Sequence, residues 1–222
     1  MSAEDELPPT HLSIGIACYP TFGGSGIVAT EIGLGMAKRG HRVHFISTEV
    51  PVRLAWHENV FFHAVSGATY PLMRHGDYAL ALASKLVDVA THEGLDVMHV
   101  HYAVPHATSA FLARQVLGES APPVVTTLHG TDITLVGIDP SYLPITRHTI
   151  EQSQAVTTPS EFLKQATYDR LRLSKSVSIE VIENFVDTDR YRPPTVRDRT
   201  CFASLCPNRT GGANDPVLFH VS

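Results

Sequence analysis

The segment Tyr19-Pro20-Thr21-Phe22-Gly23-Gly24-Ser25-Gly26 gathers residues suited to holding an anion, namely Gly23, Gly24, Ser25 and Gly26. Glycines let a backbone approach a bound group without a Cβ in the way, and they tolerate positive φ angles. An apolar run, Leu12 to Cys18, precedes the segment, and a helical pattern from Ile27 to Arg39 follows it. The first N–H groups of a helix have no intrahelical acceptor and lie at the positive end of its dipole. A phosphate or carboxylate is therefore the expected ligand, with the Ser25 hydroxyl as a further donor. A rival pattern overlaps it. Gly24, Gly26 and Ala29 fit the dinucleotide fingerprint, and Glu49 falls where a ribose-binding acid would stand, which would make a nicotinamide-dependent dehydrogenase. That fingerprint, however, places its first glycine straight off the strand, whereas here Tyr19 to Gly23 intervene. A third reading is a turn that only packs the helix, the role expected of Gly33 and Gly35.

Three other segments carry polar groups at strand ends. His99 and His101 alternate onto one strand face, but no acid or third ligand accompanies them, so packing and hydrogen bonding are expected rather than a metal pair. Tyr102 and His106 follow at the loop, with Tyr102 the better ligand contact. In Thr126-Thr127-Leu128-His129-Gly130-Thr131-Asp132, His129 could hydrogen-bond a hydroxyl while Asp132 orients the loop or caps the next turn. Asn184 follows a strand at Val177 to Ile182, and Ser160 reads as a helix cap.

These segments require a scaffold that brings them together. Strand patterns at Leu12–Cys18, Arg42–Ser47, Asn59–Val65, Val97–His101, Pro123–Leu128, Ala155–Thr157 and Val177–Ile182 alternate with helical ones. The helices are expected at Ile27–Arg39, at Asp77 (as cap) to His92, and at Pro105–Leu117, Tyr142–Gln152 and Ser160–Leu171. In the first, Val28, Ile32 and Met36 would lie on one face. Such alternation predicts an α/β fold, a doubly wound, Rossmann-like parallel sheet covered on both faces, with ligands at the carboxyl ends of the strands. A net charge of −5 argues against a nucleic-acid partner. The acidic start lacks a signal-peptide pattern and no apolar run is long enough to span a bilayer, so no membrane association and a cytoplasmic location are expected. Cys18 reads as a small buried apolar residue; Cys201 and Cys206 are too few for a four-ligand zinc site but could pair as a tail disulfide or redox switch.

The stretches Gly15 to Glu31, His101 to Ala107, Thr126 to Thr134 and Asn184 to Asp187 together resemble the malate glycosyltransferases of the bacillithiol pathway, retaining family-four enzymes. The likeness runs from about Leu12 to Tyr191 and resumes at Val217. It implies the N-terminal domain of a GT-B fold and transfer of N-acetylglucosamine from UDP-N-acetylglucosamine to L-malate, with no cofactor and no metal required. By this resemblance the glycine segment and Ser25 would meet malate carboxylate or donor phosphate. Tyr102, Thr127 and His129 would line the acceptor and sugar pocket, with Asn184 at the same edge and His129 a sugar contact rather than a general base. A homo-oligomer would also be in keeping.

The domain plan expected from this is a tail (1–11), an acceptor-binding domain (12–191), a linker (192–215) and the first strand of a second domain (216–222). The Arg/Lys pair and paired glutamates that the resemblance assigns to that second domain do not occur before Ser222, so this chain alone is expected to be a poor catalyst. Two alternatives stay open, a related transferase with another acceptor (an inositol phosphate or a lipid) and a non-catalytic module that binds a small anion.

Overall fold

The computed structural model describes residues 11–67, 78–189 and 191–192. The expected tail to residue 10, the helix cap at Asp77, most of the linker, Cys201, Cys206 and the strand at 216–222 lie outside these residues. Seven strands form one parallel sheet, β1 (Ser13–Ala17), β2 (Arg42–Ser47), β3 (Val60–Ala64), β4 (Val97–His101), β5 (Val124–Thr127), β6 (Ala155–Thr158) and β7 (Ile179–Val181). Their order is β3-β2-β1-β4-β5-β6-β7, so the sheet switches direction between β1 and β4. In an open parallel sheet that switch leaves a crevice above the carboxyl ends of the two strands. The chain divides into two units, Met1–Asn184, which holds the whole sheet, and Phe185–Ser222.

Among the described residues, five α-helices connect the strands, α1 (Gly24–Lys38), α2 (Tyr78–Glu93), α3 (Thr108–Leu117), α4 (Leu143–Glu151) and α5 (Glu161–Leu171). The two faces are covered unequally. Leu82, Leu86 and Val89 of α2, with Ala110 and Ala113 of α3, bury Ala17, Ile46, Met98, Val100 and Val124 on one face. Helix α5 continues that layer over Val156 and Ile179. Helix α1 covers the opposite face at β1 and β2, above Ile14, Ile16, Val43 and Phe45.

Two local features of α1 have physical causes. Helix α1 begins at Gly24, three residues early, because Gly23 adopts an extended cap conformation and the first turn then forms from Gly24, Ser25 and Gly26 themselves. Its buried face is Gly26, Ala29, Thr30, Gly33 and Ala37, not Val28, Ile32 and Met36, which are half-buried. The small residues win because the helix lies very close to the sheet. A Cβ on Gly33 would stand 2.3 Å from Phe45 Cζ and 2.9 Å from Ile16 Cδ1. Ser160 caps α5 as expected, its Oγ accepting from Leu163 N–H at 3.2 Å.

The two interior glycines of α1 should therefore respond oppositely. Gly33→Ala overpacks the interface and should cost about 1–3 kcal/mol. Gly35, whose Cβ would meet nothing within 4 Å, should gain roughly 0.5–1 kcal/mol as alanine through helix propensity. Urea unfolding followed by far-ultraviolet circular dichroism measures both, and equal effects would contradict this packing.

Candidate functional site

The loop from β1 into α1 folds back so that Gly26 lies under its own backbone. A Cβ there would stand 2.5 Å from the Tyr19 carbonyl oxygen and 2.8 Å from that of Thr21. Gly26 is thus required by the loop itself. Gly24 differs, since a Cβ there would touch nothing within 4 Å. Gly23 and Gly24 are exposed and Ser25 is half-buried, so the corner is open. The first intrahelical bond runs from Ile27 N–H to the Gly23 carbonyl at 3.2 Å. The N–H groups of Gly24, Ser25 and Gly26 precede it and have no acceptor within the helix. No acidic side chain stands in this first turn to compete for them.

Tyr19 links this corner to the next two loops. Its ring meets Tyr102 edge-on at 5.4 Å and His106 at 4.6 Å. The Tyr102 ring stacks on His129, with centroids 5.4 Å apart and planes 19° off parallel, and its hydroxyl lies 3.1 Å from Thr131 Oγ1. Tyr102 sits at φ 90°, a conformation that L side chains rarely adopt. Such a residue costs on the order of 1–3 kcal/mol and persists only when its surroundings over-determine it. Here its N–H donates to the Thr127 carbonyl at 2.9 Å and its carbonyl accepts from Ala107 N–H at 3.1 Å. The next residue, Ala103, donates its N–H to Asp132 Oδ2 at 3.2 Å. Helix α3 then starts at Thr108 rather than Pro105, after an irregular turn in which Val104 is extended.

Asp132 ties the second loop to the third. Besides Ala103, its buried carboxylate accepts from the N–H groups of Gly130 at 2.8 Å and His129 at 3.1 Å. Burial pushes this carboxyl above its ordinary value, and the backbone bonds from His129, Ala103 and Gly130 pull against that shift.

His99 and His101 share a face and pack at 4.5 Å between ring centroids. His99 Nε2 lies 2.7 Å from Thr127 Oγ1, which lies 2.7 Å from Thr157 Oγ1. Thr127 is therefore engaged with its neighbouring strands beneath the loops, and His106 is buried between the His101 carbonyl and the Tyr78 hydroxyl. His101 Nδ1 lies 2.9 Å from His129 Nε2, while His101 Nε2 is buried without a partner. A buried orphan is tolerated better as a lone pair than as an N–H. We accordingly assign the proton between the rings to His101 Nδ1, which leaves His129 with its own proton on Nδ1. Burial brings the pKa of His129 down to about 4, so at neutral pH it is an uncharged, weakly basic ring. Asn184 is exposed beyond β7, three strands from β4 in the sheet order.

A further titratable group, His44, His63 and Glu93, lies on β2, β3 and the end of α2. Nothing in the sequence marks it, because the three residues are far apart in the chain and match no ligand spacing.

The family model for Glycosyltransferase Family 4 matches residues 22–190. The chain is also 48% identical, over 95% of its length, to N-acetyl-alpha-D-glucosaminyl L-malate synthase of Bacillus anthracis. The chain belongs to glycosyltransferase family 4. It covers 53% of that curated relative, so it spans about half its length. Among solved structures, a glycosyltransferase from Rickettsia africae superimposes with a TM-score of 0.64 at 19% identity, over 93% of this chain and 51% of that one. Anabaena HepE in complex with UDP-glucose gives 0.58 at 14% identity, over 89% and 49%. Both bear on the fold alone. Membership of this transferase family removes the dehydrogenase reading, and the geometry agrees, since Gly24 and Gly26 lie inside the first turn of α1. No described helix is long and apolar enough to cross a membrane.

The buried histidines of this family 4 chain set its acid stability. Burial lowers His99, His106 and His129 to about 4 and His101 well below 6.5. In the unfolded chain each would titrate near 6.5, so between 6.5 and 4 the unfolded form binds more protons. Stability should fall as pH drops through that window, by up to about 1.4 kcal/mol per pH unit for each ring. Thermal unfolding should show a midpoint that is level above pH 7 and descends steeply below 6.5; a level midpoint down to pH 4.5 would contradict the burial of these rings.

Proposed function

We propose that this chain is the acceptor-binding part of a retaining glycosyltransferase that moves N-acetylglucosamine from UDP to the hydroxyl of L-malate. It would act together with the half that the curated relative carries outside the match. One observation carries the reading: the open first turn of α1, with three N–H groups lacking helical acceptors, lies beside the Tyr19–Tyr102–His129 rings. The identity to a malate synthase supports malate as the acceptor.

Malate is a small dianion, and a helix N-terminus suits a carboxylate as it suits a donor phosphate. In the transfer, the bond from the sugar's anomeric carbon to the UDP phosphate breaks and a bond to the malate oxygen forms. The hydroxyl proton leaves with the departing phosphate. His129 fits this scheme as a neutral hydrogen-bond donor and stacking partner for Tyr102 rather than as a base, since burial holds its pKa near 4. The charge on the departing phosphate would be met in the other half, where the resemblance places an Arg/Lys pair.

Gly24→Pro tests the role of the amides without disturbing the fold. Proline fits the first position of a helix, a Cβ at Gly24 meets nothing, and Gly23 already has the extended conformation that precedes proline. The variant should unfold at the same urea concentration or a slightly higher one. An N–H bond to a charged acceptor contributes about 1.5–3 kcal/mol, so malate affinity measured by calorimetry should fall roughly 10- to 100-fold. The reaction is tested by malate-dependent release of UDP from UDP-N-acetylglucosamine in a protein that contains this chain and the remaining half of the enzyme. Release with an inositol phosphate or a lipid acceptor but not with malate would overturn the acceptor assignment; malate binding without turnover would leave a binding module.

A further inference from the structure

His44 and His63 stand side by side on the last two strands of the sheet, at the edge away from β4 to β7. In the register, His44 faces Phe61 and Ile46 faces His63, so the two histidines are diagonal neighbours on one face. His44 Nδ1 lies 3.0 Å from His63 Nε2, and the rings are 5.2 Å apart. Helix α2 lies on the same face and ends at Glu93, whose carboxylate completes a trio with ligand atoms within 4.8 Å of one another. His44 is buried, and His63 and Glu93 are half-buried. None of these residues contributes to the glycine corner or to the Tyr102–His129 pair.

We propose that His44, His63 and Glu93 bind a divalent transition cation, with Zn2+ the best fit. Two nitrogens held about 2.0–2.1 Å from one tetrahedral Zn2+ stand roughly 3.3 Å apart, so the observed pair needs to spread by only a few tenths of an ångström. Two imidazoles and one carboxylate suit Zn2+, Co2+, Ni2+ or Cu2+, while Mg2+ and Ca2+ require mostly oxygen ligands. Burial keeps both rings below their ordinary values, His44 at about 4, so each is neutral at pH 7 and keeps a lone pair for the metal. On binding, the proton shared between the rings moves to the other nitrogen of its own ring, and the metal takes the vacated position.

Two features set the strength of the site. Glu93 Oε2 accepts from Arg42 at 2.9 Å, and both side chains are near enough to solvent that this ion pair is weak. The carboxylate has a second oxygen with which to meet a cation. Lys85, the other nearby cation, is held by Asp88 at 2.8 Å. His44 Nε2 is buried without a partner, whereas a ligating histidine usually has its second nitrogen hydrogen-bonded. The site is therefore weaker than one with a complete outer shell. Its effect is to clamp the edge strand β3 and the end of α2 onto β2.

Titration of the 222-residue chain with ZnCl2, followed by calorimetry and thermal unfolding, tests this. The wild type should take up one equivalent and unfold several degrees higher, with no response to MgCl2. His63→Gln and Glu93→Gln, both at half-buried positions, should fold and bind Zn2+ at least tenfold more weakly, losing the thermal shift. Arg42→Gln should bind more tightly, because the carboxylate is released from its competitor. If the wild type takes up no Zn2+, or the two ligand variants bind it as well as the wild type does, the site is refuted. The chain has 13 histidines in all, and only dependence on these positions separates this site from adventitious binding.

Discussion

The Asp132 carboxylate, buried and almost out of reach of water, accepts backbone N–H groups from Ala103, His129 and Gly130. Those donors belong to two loops that leave neighbouring strands, β4 and β5, so one side chain fixes the distance between them. Placing a carboxylate in the interior is costly unless its lone pairs are satisfied, and three N–H groups meet that requirement. Much of the site follows from this anchor. Ala103 held at Asp132 constrains Tyr102 to its positive φ, and His129 held at the same carboxylate lies parallel to the Tyr102 ring.

The chemistry that such a corner can support is narrow. Its histidines are neutral, and each is engaged with a threonine, a carbonyl or another ring. Such rings orient and donate hydrogen bonds; they do not readily take a proton at neutral pH. Positive potential comes from the start of α1, a fixed dipole end that needs no side-chain charge. Free backbone amides beside stacked, uncharged rings suit the positioning of a ligand rather than the transfer of its proton.

Much of this architecture was legible in the residues. The alternation of apolar runs and helical periods marked all seven strands, because a parallel sheet buried in the interior reads as short continuous apolar segments. The placement of the glycine segment at the start of α1 and the orienting role of Asp132 were also visible, since turn and helix-start chemistry is local. What the sequence hid was set by tertiary distance. The buried face of α1 was not legible, because Gly33 presses against Phe45 and that closeness favours glycine and alanine over Val28 and Ile32. The engagement of Thr127 with His99 and Thr157 depends on register between strands, as does the meeting of His44 with His63. Neither leaves a periodic trace.

The account depends on the first-turn amides of α1 being the groups that receive the anion. The most direct measurement is a 15N–1H correlation spectrum of the chain recorded while L-malate is added. The largest shifts are predicted at the amides of Gly24, Ser25 and Gly26, with smaller ones at Tyr102 and His129. Saturable shifts confined to other parts of the sheet, with these three amides unmoved, would contradict it.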